Sequence, residues 1–291
     1  HAARLPAFAY PGPAAIPAGR TVQMKSKANQ PPAKSDLDAE ALKCLPGVED
    51  FLRAIGVKSN DSSFSALYQR VADFTKSGKD FSEHAPKRWE DPLIETLVRP
   101  NDSILDLGCG EGDLLARLSY QHDVVVQGVD RDGDAVIRCI ERGMPVCHED
   151  LERFLDALPN QCYTYAVLEQ TLQTLHSPLK TLRQMLRVAR WCVVSFPNFA
   201  HWSVRLAFSL GGRMPVTSSL PYAWHDTPNI HLCSITDFID WTEEDNINIV
   251  KAWALVEGKV LDYVVGGEND YNITADQALF VIERKDFPYQ K

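Results

Sequence analysis

The sequence predicts an α/β fold: a mostly parallel seven-stranded sheet, wound with helices on both faces, with an antiparallel closing strand. Three observations predict it. From residue 104 onward, near-continuous apolar strand segments alternate with segments of helical period, the pattern of a parallel sheet covered on both sides. The first strand, in "SILDLGCGEGDLL" at 103–115, runs directly into Gly108, Gly110 and Gly112, three glycines at alternate positions. Carboxylates then close successive strands, Asp130 after the second and Asp150 after the third, where open α/β sheets bind ligands.

The chain divides into three parts. Residues 1–34 are rich in alanine and proline and carry Arg4, Arg20, Lys25, Lys27 and Lys34 but no acid. They show no apolar period and too little apolar surface to fold, so 1–35 is expected to be a disordered basic leader, a targeting peptide. Its "AFAYPG" resembles the phenylalanine-containing junction of two-part plastid-targeting leaders in algae, which implies the plastid stroma. Cytoplasm and mitochondrion are the alternatives.

Residues 36–86 are expected to form a helical extension, with helices over 36–57 and 61–79. In the second, Phe64, Leu67, Tyr68, Val71 and Phe74 recur at helical spacing after a capping Ser62 or Ser63. Residues 87–287 are the α/β domain.

Within that domain "WEDPLIETLV" at 89–98 predicts a helix with Pro92 in its first turn. Strands are expected at 104–107, 124–130, 145–149, 164–169, 191–196, 247–256 and 278–284. Helices are expected at 112–120, 133–142, 151–158 and 178–189, and one carrying Phe199, His201, Trp202 and Arg205. The segment "EGKVLDYVVGGENDYN" has turn residues and no helical period, so the last two strands are expected to pair antiparallel.

Charge and composition exclude several classes. The net charge is −9, and −14 without the basic leader, which argues against a general nucleic-acid binder. No apolar run approaches the roughly 18–20 residues that a membrane-spanning helix needs. The seven cysteines form no CxxC pair and mostly sit in or beside apolar runs, as buried thiols do. No clustered cysteine and histidine ligands suggest a metal site.

The glycine turn is Asp106-x-Gly108-x-Gly110-x-Gly112. Glycines suit a sharp turn whose main chain must approach a ligand, with the N–H groups of the next helix facing it. A dinucleotide fingerprint needs G-x-G-x-x-G. Counted from Gly108 its sixth position is Asp113, and from Gly110 it is Leu115, so a nicotinamide dehydrogenase is disfavoured. No Gly-Lys-Ser/Thr follows, which excludes a Walker loop.

The spacing instead resembles motif I of class I S-adenosylmethionine-dependent methyltransferases. That cofactor has no phosphates and carries a sulfonium cation, so it tolerates acidic surroundings. The resemblance makes Asp106, Gly108, Gly110 and Gly112 the cofactor turn. It makes Asp130 the acceptor of the ribose hydroxyls and Asp150 the acceptor of the adenine amino proton. Leu151 would contact the ring through its backbone, and Glu169 follows the fourth strand.

Longer strings resemble one family. "ILDLGCGEGDLL", "LEQTLQTL" (168–175), "MLRVARWCVVSFPNFAHWSVRL" (185–206), "GGRMPVT" (211–217) and "LPYAWHDTPNIHLCSITDF" (220–238) are similar to the methionine biosynthesis protein MetW. The resemblance covers roughly residues 90–257. It implies a Rossmann-like class I methyltransferase fold and a place in methionine biosynthesis. It departs at Glu169, where the family is expected to carry a small polar residue. Two functions follow from it. One is S-adenosylmethionine-dependent methylation of a small-molecule acceptor. The alternative is a non-catalytic partner that activates or stabilises homoserine O-acyltransferase.

A methyl-transfer base is harder to name. There is no Asn/Asp-Pro-Pro-aromatic motif after strand four and no Pro-Cys nucleophile. His201 and His231 are the candidates, the second on a polar and aromatic loop that could form an acceptor pocket or lid. His225-Asp226 lacks the G-x-S-x-G elbow that a hydrolytic triad would need.

Overall fold

A computed structural model describes residues 88–286, apart from 122, 212, 213, 218 and 268–270. The leader at 1–35 and the helices expected at 36–57 and 61–79 lie outside the described residues.

The elements alternate as the pattern requires. Helix α1 (Asp91–Leu97) has a proline in its first turn and precedes β1 (Ser103–Leu107). Then come α2 (Asp113–Gln121), β2 (Val125–Asp130), α3 (Gly133–Glu141), β3 (Val146–His148), α4 (Leu151–Ala157) and β4 (Tyr163–Leu168). A single 3₁₀ turn, Leu172–Thr174, leads to α5 (Pro178–Val188), β5 (Ala189–Pro197) and α6 (Trp202–Gly211). The chain closes with α7 (Ile235–Glu244), β6 (Ile247–Val256), β7 (Lys259–Asp262), α8 (Tyr271–Thr274) and β8 (Gln277–Arg284).

The eight strands form one sheet in the order β3-β2-β1-β4-β5-β8-β6-β7. The first five are parallel, whereas β8 runs antiparallel to β5, β6 to β8, and β7 to β6. The mostly parallel Rossmann-like sheet with antiparallel closure is therefore present, with one strand more than the seven expected. The extra strand is β7, inside the segment expected to be only turns. Glu257 and Gly258 have φ of +48° and +74°, so two residues with positive φ close a tight β6–β7 hairpin. The dipeptide Glu-Gly is not among the usual hairpin signals, and β7 has only four residues.

Two further differences are local. Helix α6 starts at Trp202, so Phe199 and His201 lie in the turn before it rather than on the helix. Helix α7 was not expected from the sequence. Its start is fixed by a capping box in which Ser234 and Asp237 satisfy each other's backbone N–H.

Successive strand residues feed two cores, one on each face. Leu105 and Leu107 of β1, Ala166 and Leu168 of β4, and Phe280 of β8 pack with Met185 of α5 and Phe238 of α7. Ile104, Val167, Val193 and Leu279 pack on the other face with Ile94 of α1 and Leu114 and Leu118 of α2. Burying both faces explains why the parallel strands read as continuous apolar runs. The parallel register sets Leu107 opposite Val129 and Asp130 opposite His148, which brings the carboxyl ends of β1, β2 and β3 to one edge.

Candidate cofactor cleft

The glycine turn leaves β1 with three positive φ angles: +79° at Gly108, +53° at Gly110 and +76° at Gly112. This backbone suits glycine and strains most other residues. A Cβ on Gly112 would lie 2.6 Å from Cys139 Sγ, whereas one on Gly110 would meet nothing within 4 Å. Gly112 is thus confined by packing against α3, while Gly110 faces open space.

Asp130 locks this turn to the end of β2. The Gly110 N–H donates to Asp130 Oδ2 at 2.8 Å, and the Asp132 N–H donates to Oδ1 at 2.8 Å. Each carboxylate oxygen keeps a further lone pair for a ligand hydroxyl. Asp150 caps α4: its Oδ1 accepts from the N–H groups of Glu152 (3.0 Å) and Arg153 (3.2 Å). Asp150 therefore serves the helix through one oxygen, whatever its second oxygen binds.

Between these groups lies a partly enclosed space of about 160 Å³. Gly108, Asp130, Asp150 and Leu151 line it, together with Glu149, Glu152, Thr171 and His176. The volume is below the ~300–1,000 Å³ that commonly surrounds a whole ligand, so this space can enclose only part of a cofactor. Four carboxylates against Arg131 make the lining acidic, which suits a cation and repels a pyrophosphate.

The other end of the turn holds a buried charge cluster. Arg88, whose φ is +59°, reaches into it with its guanidinium. It donates to Asp91 at 2.9 and 3.0 Å, to Glu169 Oε2 at 3.1 Å and to Asp113 Oδ2 at 3.4 Å. Asp106 lies buried beside them. Burial pushes the Asp106 carboxyl up to about 7, with Arg88 pulling it down and Asp91 and Asp130 raising it. Glu169 is pushed up to about 9, first by burial and then by repulsion from Asp106, Glu90 and Asp91. One partly exposed guanidinium shared among several carboxylates does not offset their desolvation.

A hydrogen-bond network around Glu90 adjoins the cluster. Gln170 Nε2 donates to Glu90 Oε1 at 2.7 Å and to Gln277 Oε1 at 2.9 Å, and the Trp89 indole donates to the same Gln277 oxygen at 2.7 Å. Ser195 Oγ donates to Glu90 Oε1 at 3.1 Å. These bonds hold Gln170 at a positive φ of +47°, which turns the chain sharply after β4. Sequence reasoning passed over Arg88, Glu90 and Gln170. A lone arginine before a helix carries no motif, and beyond Asp91 its partners lie 25 and 81 residues away.

The two histidines sit elsewhere. Among the described residues that line the partly enclosed space, neither His201 nor His231 appears. His201 is buried, its Nδ1 lies 2.7 Å from Ser203 Oγ, and burial lowers its basicity to about 4. His231 is exposed at the side chain. Its backbone N–H donates to Gln173 O at 3.0 Å, and Ile230 donates to the same oxygen at 2.8 Å. That tie fastens the 220–234 loop to the 3₁₀ turn after β4. The loop and α6 enclose a separate apolar groove of about 740 Å³, lined by Phe199, Phe208, Met214, Tyr222 and Trp224 among others. No cluster of metal-ligating residues occurs among the described residues, and no described helix is long and apolar enough to cross a membrane.

Comparison with known proteins gives the following likenesses. The family described as methionine biosynthesis protein MetW matches residues 88–282. A bifunctional methionine biosynthesis protein MetXA/MetW from Rhodopirellula baltica is 30% identical over 207 residues, 67% of this chain and 32% of that protein. The chain thus spans about a third of the length of this curated relative. Among solved structures, a SAM-dependent methyltransferase from Archaeoglobus fulgidus is 14% identical with a TM-score of 0.47, over 76% of this chain and 100% of that one. An S-adenosylmethionine-dependent methyltransferase from Mesorhizobium loti is also 14% identical, with a TM-score of 0.48 over 66% and 96% of the two chains. The family match extends from Arg88, which anchors the charge cluster, into the closing strand β8, and the chain belongs to the MetW family of methionine biosynthesis proteins.

Proposed function

We propose that the chain binds S-adenosylmethionine at the carboxyl ends of β1–β4 and acts in methionine biosynthesis. The observation that carries this is the 2.8 Å bond from Gly110 N–H to Asp130 Oδ2, which sets a ribose-binding carboxylate against an open glycine turn. The residues fit the cofactor. Asp130 would accept the ribose hydroxyls, Asp150 Oδ2 the adenine amino group, and the Leu151 backbone N–H would contact the ring. The acidic lining favours a cationic ligand, and Gly110 leaves the main chain accessible.

The amino-acid end of the cofactor would lie toward Asp106, Arg88 and Glu169. There Asp106 would meet an ammonium and the Arg88 guanidinium a carboxylate. When bound, S-adenosylmethionine would supply an electrophilic methyl group. Equilibrium dialysis of the purified chain against labelled S-adenosylmethionine tests the proposal. Retention of about one equivalent supports it; none at millimolar cofactor ends it.

Methylation of a small molecule is one use of such a site. The second reading, a non-catalytic partner of homoserine O-acyltransferase, is supported by the relative that joins MetXA and MetW in one polypeptide. It is supported also by the exposed apolar side chains that line the groove between α6 and the 220–234 loop, with Trp224 77% and Phe208 59% exposed. Acyltransferase assays with and without the purified chain separate the two. Enhanced acyl transfer by a stable complex favours the partner, and labelled methyl product without a complex favours the enzyme. The plastid address of the leader belongs to the same proposal, and imaging a fluorescent protein fused behind residues 1–35 tests it.

A further inference from the structure

A third cavity lies at the amino-terminal end of the parallel strands, with about 670 Å³ of space, within the range that holds a small ligand. Its walls come from the start of β1, β4 and β5 and from the middle of β6 and β8. The five residues of β1 at ~3.3 Å each separate it from the glycine turn by about 15 Å, so it is a different site.

Its chemistry is unlike that of the cleft at the glycine turn. Three cations line it, Arg99, Arg190 and Lys251, each from a different element, against one carboxylate, Asp102. Asp102 is engaged in its own turn, accepting the Arg99 N–H at 2.8 Å. Among the described residues neither Arg99 nor Lys251 has an ion-pair partner. A chain of net charge −9 that gathers three cations around one concavity concentrates a positive potential there, and low-dielectric walls focus it.

The same concavity has an aromatic lining. Tyr165 and Trp191 stack at 5.2 Å with 26° between their planes, and the Arg190 guanidinium lies 4.1 Å from the centre of the Trp191 ring. That contact fixes the guanidinium in place. Such a site pairs anionic groups on one part of a ligand with a flat apolar group on another.

We propose that this groove binds a nucleotide, a phosphorylated small molecule carrying a heterocycle, independently of the cleft at the glycine turn. The phosphates would lie among Arg99, Arg190 and Lys251, and the heterocycle would lie along the Tyr165–Trp191 pair.

Calorimetric titration of the full chain with ADP tests it, beside adenosine and inorganic pyrophosphate. ADP is expected to bind saturably, tighter than either fragment, and more weakly as salt rises. The double variant Arg99→Ala/Lys251→Ala should weaken ADP by about tenfold or more while keeping its thermal midpoint. Asp130→Asn, which alters the other cleft, should leave ADP affinity unchanged. Three results would overturn the assignment: no ADP binding at about 2 mM, well above the range of specific sites; equal affinity in the double variant; or loss of ADP binding in Asp130→Asn. Pyrophosphate binding as tightly as ADP would overturn the heterocycle component.

Discussion

Arg88 Nη2 donates to Glu169 Oε2 at 3.1 Å, joining the turn before α1 to the residue that follows β4. The same guanidinium reaches Asp113 at the start of α2. Three elements far apart in sequence are thereby clamped at one end of the cleft. The clamp carries more negative than positive groups, and its carboxyls are raised first by their burial and then by that imbalance.

The first prediction concerns stability. Glu169 has its folded value raised to about 9 against an ordinary value of 4.5. Between those limits the folded state binds the extra proton, so this group's contribution is present below about 4.5 and is lost as pH rises through about 9. Glu169→Gln removes the titration. Thermal midpoints of the native and variant chains across that window should diverge with rising pH in favour of the variant. A constant difference would reject the assignment.

His201 predicts the opposite slope. Its folded value is lowered to about 4, so below about 6.5 the unfolded chain takes up a proton that the folded chain refuses. Stability is therefore lost as pH falls from about 6.5 to about 4, and His201→Gln should reduce that loss. Because His201 does not line the partly enclosed space, cofactor affinity measured at pH 7.5 should be the same in the variant.

The glycines separate packing from ligand approach. Gly112→Ala places a Cβ 2.6 Å from Cys139 Sγ at a φ of +76° and should cost about 2–4 kcal/mol of stability. Gly110→Ala meets no neighbour within 4 Å and should cost only about 1 kcal/mol, the left-handed backbone penalty. Urea midpoints should rank Gly112→Ala below Gly110→Ala, and the reverse order would contradict the geometry.

Most of the parallel half of the fold was legible in the sequence because burial on both strand faces leaves continuous apolar runs. Each of the five parallel strands falls within about two residues of its expected limits. The candidate turn and Asp130 were legible because motif and strand end coincide. Strand β7 was not, since four residues, Lys259–Asp262, follow an unusual hairpin dipeptide. Helix α7 was hidden inside a stretch valued for its resemblance rather than for its Ser234 cap. Apart from the Arg88–Asp91 pair three residues apart, the clamp left no local trace, because its other contacts are made only after folding. The histidines appealed by residue type, but proximity to a ligand depends on tertiary placement, and type alone does not supply it.

The central claim is that Asp130 and the glycine turn together hold S-adenosylmethionine. The most direct measurement is calorimetric titration of the native chain and of Asp130→Asn with that cofactor. The account predicts saturable one-to-one binding by the native chain. The variant should be weaker by about 10- to 100-fold, the ~1.5–3 kcal/mol of hydrogen bonds to a charged acceptor. Equal affinity in the two proteins, or no binding by the native chain at millimolar cofactor, would contradict it.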